Sequence, residues 1–194
     1  MKPSSLFLGL ALLLAFAAAA PADPPERALD GLAVPDAKLI DQDGRPVRFY
    51  TDLVKGQVVA MNFVFTSCGT ICPPMGANFA KLQKLLGDRP NGKRVRLISV
   101  SIDPGNDTPE RLKAWAGKFG AQPGWTLVTG DREEVTRLLK AMGVFNASPA
   151  AHTPVVLVGD DAHHHWTRAY GLAPPDKLAE LIGRVAGADK EAKR

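Results

Sequence analysis

The sequence predicts a single α/β domain, with a mixed sheet flanked by helices on both faces and a hairpin at its N-terminal side. Three observations predict this fold. Apolar runs alternate with segments in which apolar residues recur at helical spacing, which indicates buried strands joined by helices. The elements follow the order hairpin, alternating strands and helices, two consecutive strands and a final helix. The 194 residues, 45% hydrophobic and 23% charged, suit one folded core and argue against disorder.

The strands are predicted from apolar runs bounded by turn residues. The turn Asp41-Gln42-Asp43-Gly44 joins the first two, 38–40 and 47–49, into a hairpin that covers one edge or end of the sheet. The segment 58–65 is almost entirely apolar, as expected of a central strand buried on both faces. The remaining predicted strands are 95–102, 126–129, 155–158 and 166–170, the last two joined by a turn at 159–161.

Each predicted helix has a recognisable start. The first begins near Cys72 and stops at Gly87, with Met75, Phe79, Leu82 and Leu86 on its inner face. The starts of the others are Pro109 after the cap Thr108, the residue after Asp131 in a capping box with Glu134, and the residue after Pro174-Pro175. These helices supply the two layers that cover the sheet.

The N-terminus is typical of an export signal. A lysine near the start is followed by an apolar run from Leu6 to Ala20 and a string of alanines suited to cleavage between Ala18 and Ala22. We therefore expect a signal peptide at 1–22, with an uncleaved membrane anchor as the alternative, then a linker at 23–32, a domain at 33–186 and a charged tail at 187–194. Export places the mature chain in the periplasm, soluble or anchored by this segment. The net charge of +4 is scattered rather than clustered, which argues against nucleic-acid binding.

The two cysteines of the chain, Cys68 and Cys72, lie four residues apart between the central strand and the first helix. If the helix begins at Cys72, both sulfurs face its N-terminus, so we expect both thiols to ionise easily. The pair can form a structural disulfide, supply two soft metal ligands or act as a redox dithiol. A redox-type pair at this position narrows the fold prediction to a thioredoxin-like sheet. In an oxidising compartment, a working dithiol needs a reductant.

His152 is a candidate third ligand for the two cysteines. It precedes the strand at 155–158 in the segment Ala151-His152-Thr153-Pro154, and in a thioredoxin-like sheet this loop packs against the cysteine loop, often through a cis proline. Two thiolates and one imidazole suit Cu(I) and also accommodate Cu(II). The alternative is a surface or structural histidine.

Other polar residues are weaker candidates. The run His163-His164-His165 reads as a solvated turn, with an accessory metal site as the alternative. Asp103 and Asp107 follow a core strand, where ligands collect in open α/β sheets. We expect Asp107 to cap a helix and leave open whether Asp103 lies near the site.

Three segments carry a family resemblance: 62–73 (NFVFTSCGTICP), 101–109 (SIDPGNDTP) and 152–154 (HTP). They resemble the Sco/SenC family of copper proteins over about 35–182. The resemblance implies a thioredoxin-like fold and copper held by Cys68, Cys72 and His152. It also implies delivery of copper to the dinuclear copper site of cytochrome c oxidase, or maintenance of the thiols of that site. The implied partners are the copper-bearing oxidase subunit, a thiol reductant and copper donor proteins.

Two positions depart from the family pattern, because Gly69 stands where proline is common and Ala151 where an acid is frequent. Two enzymatic hypotheses remain beside the copper chaperone. The first is a periplasmic thiol-disulfide oxidoreductase with Cys68 as nucleophile and Cys72 as resolving thiol. The second is a thiol peroxidase, suggested by a local likeness of 62–69 to enzymes of the glutathione-peroxidase type.

Overall fold

A computed structural model describes residues 26–29, 31–87 and 95–192. The expected signal peptide at 1–22 lies outside the described residues. Eight strands are present among them: β1 Arg27–Ala28, β2 Lys38–Asp41, β3 Pro46–Arg48, β4 Val58–Val64, β5 Val95–Ser101, β6 Trp125–Thr129, β7 Val155–Asp160 and β8 His165–Tyr170. The described helices are α1 Cys72–Leu86, α2 Pro109–Gly117, α3 Arg132–Ala141 and α4 Pro175–Ala192, and a wide π-helical turn spans Phe49–Val54.

The strands form one mixed sheet in the order β1-β8-β7-β4-β5-β6-β2-β3. Strand β4 lies inside the sheet, parallel to β5 and antiparallel to β7, and all seven of its residues are buried. The predicted hairpin, β2 and β3, covers one edge through an antiparallel pairing of β2 with β6. At the opposite edge, β1 adds two residues from the expected linker to β8. The predicted thioredoxin-like mixed sheet is confirmed.

The alternation of side chains along β4 divides the core into two layers. Val58, Ala60 and Val64 face a layer covered by α1, α2 and α4. Val59, Met61 and Phe63 face the other layer, which is covered by α3 and the π-helical turn. Both cysteines belong to the first layer, so the cysteine loop packs on the α1 side of the sheet.

The structure corrects three local predictions. Asp131 precedes α3 without a side-chain cap, because the Glu134 carboxylate instead accepts hydrogen bonds from the Lys38 backbone N–H at 2.8 Å and from Arg137. The capping box is therefore wrong, and Glu134 ties α3 to the hairpin. The turn predicted at 159–161 begins later, since β7 continues through Asp160 into a 3₁₀ turn, Asp161–His163. The peptide bonds among the described residues are trans, including the one before Pro154.

Among the residues that the structure describes, no helix has the length and apolar character needed to cross a bilayer.

Candidate metal and thiol site

The cysteine loop leaves the end of β4 and turns directly into α1. Its first turn is closed by a hydrogen bond from the Cys68 N–H to the Phe65 carbonyl at 3.2 Å. The Cys72 N–H, at the start of α1, then points at the Cys68 sulfur at 3.4 Å. Both cysteines are buried free thiols. The strand end and the helix start therefore bring the two sulfurs together, as their spacing predicted.

The two thiols ionise very differently. Burial opposes ionisation of Cys68, but the N–H groups of Cys72 and Thr70 and the Thr70 hydroxyl outweigh it and lower its pKa to about 7. Burial raises the pKa of Cys72 to about 12. The neighbouring Cys68 and the Asp107 charge also raise this pKa, whereas the Phe65 N–H lowers it. The prediction that both cysteines ionise easily is therefore right in direction for Cys68 and wrong for Cys72. The reason is that Cys72 is more deeply buried and that the N–H at the start of α1 points at the Cys68 sulfur.

Asp107 anchors the segment that leads into the cysteine loop. One of its carboxylate oxygens accepts hydrogen bonds from the Thr66 N–H at 3.0 Å and the Thr66 hydroxyl at 2.6 Å. The other accepts from the Ser101 hydroxyl at 2.6 Å, and the side chain is only 1% exposed. Thr108, not Asp107, caps α2, so the capping role expected of Asp107 is wrong. The signal available in the sequence was the pairing of Thr66 after one core strand with an acid after the next.

Asp103 is not part of this anchor. Its carboxylate accepts a hydrogen bond from the Asn106 side chain at 2.8 Å, which closes the turn between β5 and α2.

His152, the third candidate ligand, is held against the end of β4. The ring is buried, and Nε2 lies 3.1 Å from the Phe63 carbonyl of β4. Because a carbonyl only accepts hydrogen bonds, Nε2 carries the proton and Nδ1 carries the lone pair in the neutral ring. Nδ1 is buried and has no hydrogen-bond partner among the described residues. Burial lowers the pKa of His152, and the carbonyls of Phe63 and Pro149 oppose this shift. Of the two carbonyls, only that of Phe63 forms a hydrogen bond with the ring.

One residue, Phe65, contacts both halves of the site. The Phe65 ring packs edge-on against His152 with centroids 6.1 Å apart, and its backbone N–H acts on the Cys72 thiol. The strand entry after His152 also approaches α1: a side chain on Gly171 would meet the backbone of Pro154 at 2.7 Å and the Met75 side chain at 2.9 Å. The entry to β7 and the first turn of α1 therefore lie close together on either side of Gly171.

The structure brings the two cysteines together but not all three candidate ligands. Within the described part of the chain, no group of three His, Cys, Asp or Glu side chains has a spacing that would hold a metal ion. The donor set nevertheless fits a soft ion, because it contains two thiols and a buried imidazole nitrogen whose lone pair is unused. Joining them in one coordination shell requires the His152 ring or the cysteine loop to move.

The three consecutive histidines lie away from this site, around the turn between β7 and β8. His163 ends the 3₁₀ turn, His164 adopts a left-handed conformation with φ 58°, and His165 begins β8. The solvated turn expected there is confirmed for His164 and His165, which are exposed.

Known proteins resemble this chain over most of its length. A family model described as SCO1/SenC matches residues 30–192. The SCO1 homolog of Bacillus subtilis is 36% identical over 141 residues, covering 71% of this chain and 67% of that protein. Other curated relatives are matched over about half of their length, 52% for one from Stutzerimonas stutzeri and 55% for the bovine mitochondrial SCO2 homolog.

Two solved structures share the fold. BsSco, described as a member of the Sco family of cytochrome c oxidase assembly proteins with a disulfide switch, is 28% identical with a TM-score of 0.64, covering 81% of this chain and 96% of that one. ScoI of Bradyrhizobium japonicum, solved with copper bound, is 22% identical with a TM-score of 0.64, covering 79% and 99%. The family match over nearly the whole described region, on a thioredoxin-like sheet with its paired thiols at the start of α1, means that this chain belongs to the SCO1/SenC family.

Proposed function

We propose that this protein is an exported copper chaperone that binds copper through Cys68, Cys72 and His152. The observation that carries the proposal is the Nδ1 atom of His152, buried with its lone pair unused because Phe63 holds the proton on Nε2. Metal-binding histidines commonly donate their second ring N–H to a carbonyl or carboxylate in this way. A buried nitrogen left without a partner is costly unless it binds something.

The different pKa values of the two thiols set the order in which they bind copper. With its pKa lowered to about 7, Cys68 supplies a thiolate near neutral pH, whereas Cys72, with a pKa raised to about 12, remains a thiol. A metal ion is therefore captured first by Cys68, and its charge then displaces the proton of Cys72. Ligation by His152 completes a soft three-ligand set that suits Cu(I). Binding releases protons and becomes weaker in acid.

Membership of a family of cytochrome c oxidase assembly proteins supports that oxidase as the target of this protein. We propose that the copper-bearing subunit of cytochrome c oxidase receives copper from this chain or has its thiols maintained by it. A thiol reductant and copper donor proteins would keep Cys68 and Cys72 reduced and loaded. The N-terminal apolar segment supports a periplasmic location, with membrane association only through that segment if it is uncleaved, and the scattered positive charge gives no support for nucleic-acid binding.

Copper titration of the reduced protein tests the ligand set. A competing Cu(I) chelator is used to measure affinity for the wild type and for the variants Cys68→Ser, Cys72→Ser and His152→Ala. We expect one tightly bound Cu(I) in the wild type and at least a tenfold loss of affinity in each variant, because each removes one of three ligands. His164→Asn is the matched control, since it removes an exposed histidine. Wild-type affinity in Cys68→Ser or His152→Ala would refute the ligand set.

The split in thiol pKa also favours a second function, thiol-disulfide exchange. A low-pKa Cys68 is suited to attack a partner disulfide, and Cys72 is suited to resolve the mixed disulfide once a base removes its proton. For this function, His152→Ala leaves the rate of partner disulfide reduction largely unchanged, whereas a copper carrier loses metal. A thiol peroxidase would instead require oxidation of Cys68 by peroxide well above the rate of a free thiol, which stopped-flow measurement decides.

A further inference from the structure

The hairpin of β7 and β8 brings two imidazoles and a carboxylate together at one end. Asp160, the last residue of β7, lies directly opposite His165, the first residue of β8, in the antiparallel register. The intervening 3₁₀ turn brings His163 back so that its Nδ1 lies 2.9 Å from the Asp160 carboxylate. The rings of His163 and His165 are roughly parallel, 29° apart, with centroids separated by 6.4 Å.

The separation of the two rings lies at the upper limit of what one metal ion can span. An imidazole nitrogen binds a first-row metal at about 2.0–2.1 Å and lies about 1.1 Å from its ring centroid, so each centroid is about 3.2 Å from the ion. Two imidazoles on one ion then have centroids at most about 6.4 Å apart, and about 5.2 Å apart at a tetrahedral angle. The observed 6.4 Å is at the linear limit for rings that point at the ion, whereas these two rings are stacked. A rotation of the exposed His165 side chain is therefore needed to shorten the distance and to turn its ring nitrogen toward His163.

Asp160 sets the orientation of one of the two rings. Its carboxylate is 2% exposed and holds the Nδ1 side of His163, which directs Nε2 of that ring to act as ligand. A carboxylate that binds the far nitrogen of a ligating histidine orients the ring and increases its basicity. His163 is itself 33% exposed, so an ion from solvent reaches the pair.

We propose that His163 and His165 form a second metal site, for Zn(II) or Cu(II), with Asp160 as its positioning residue. Two imidazoles and water are a borderline ligand set that suits these divalent ions, with Cu(II) bound more tightly than Zn(II). The set differs from the two thiols and one imidazole of the copper site. The site needs only two protein ligands, which is consistent with the absence of any three-ligand cluster among the described residues.

Zinc titration of the full chain carrying Cys68→Ser and Cys72→Ser tests this proposal, because that background removes the thiols. Isothermal titration calorimetry with Zn(II) is expected to show one equivalent bound. His163→Gln and His165→Gln each reduce the affinity at least tenfold, and Asp160→Asn reduces it about 10- to 100-fold through the orientation of His163. His164→Asn is the matched control and leaves binding unchanged, since Asn tolerates the left-handed backbone at that position.

The exposed His165 keeps the test independent of folding, because we expect its replacement to leave the thermal midpoint of the apo protein unchanged. Zn(II) affinity within twofold of the background protein in both His163→Gln and His165→Gln would overturn the site. Equal losses in His164→Asn and His165→Gln would also overturn it, since binding would then follow the number of histidines and not the pair. The thiols are absent from every variant, so failure here is distinct from failure of the copper site.

Discussion

The unequal ionisation of the two cysteines predicts a large difference in their reactivity. The perturbation is a change of pH from 5 to 9 during alkylation of the reduced protein with iodoacetamide. With a pKa of about 7, half of Cys68 is thiolate at pH 7, whereas about one Cys72 in 10⁵ is ionised at a pKa of about 12. The thiolate is the nucleophile, so modification of Cys68 should dominate.

Intrinsic nucleophilicity reduces this difference without removing it. A thiolate loses reactivity as its pKa falls, and the logarithm of its rate constant changes by about 0.4–0.5 per pKa unit. Because the pKa of Cys72 is about five units higher, its thiolate is about 10² to 10²·⁵ times more reactive than that of Cys68. The net ratio of alkylation rates at pH 7 is therefore about 150- to 500-fold in favour of Cys68. The complete burial of Cys72 slows its reaction further.

Mass spectrometry with fragmentation of the peptide that contains both residues measures the two rates separately. The rate at Cys68 should rise with pH along a single titration centred near 7. Cys72 should react more slowly throughout, although the difference in thiolate chemistry narrows to about 3- to 10-fold at pH 9. Protein unfolded in denaturant is the control, and there both cysteines should react at similar rates. Comparable rates in the folded protein, or a Cys68 midpoint near 9, would refute the contribution of the N–H groups at the start of α1.

Three further predictions concern stability. Asp107→Asn should lower the free energy of unfolding by about 2–4 kcal/mol, because an amide cannot accept all three hydrogen bonds of the buried carboxylate. Urea denaturation measures this change, and a loss below about 0.5 kcal/mol would contradict the prediction. Gly171→Ala should cost about 1–3 kcal/mol in the same assay, since its Cβ would lie 2.7 Å from the Pro154 backbone, whereas Gly69→Ala, with open space around it, should cost almost nothing. Because burial lowers the pKa of His152, the unfolded chain binds more protons than the folded chain below about pH 6.5, so the free energy of unfolding should decrease as the pH is lowered there. Denaturation at several pH values should show a smaller decrease in His152→Gln. An unchanged slope would count against the burial effect.

The sequence alone determined the elements that hold the site. The apolar run of β4, the helical spacing after Cys72 and the cap and proline at Thr108-Pro109 are local signals, since burial on both faces and helix starts depend on neighbouring residues. The pairing of the two cysteines follows from their spacing at a strand end. The choice of His152 as a candidate ligand also came from the sequence, but only through the fold that the cysteine pair suggested.

Only the tertiary structure decided the chemical state of each group. Cys72 is buried beside Cys68 and Asp107 and remains a thiol, while Cys68 receives the N–H groups of the helix start, although both lie in one short loop. Asp107 binds Thr66, 41 residues away, instead of capping the helix beside it. The lone pair of His152 is assigned by a carbonyl 89 residues away in β4. Residue types and spacing specify which groups are available, but burial and distant hydrogen-bond partners set their protonation, and these depend on how the sheet assembles.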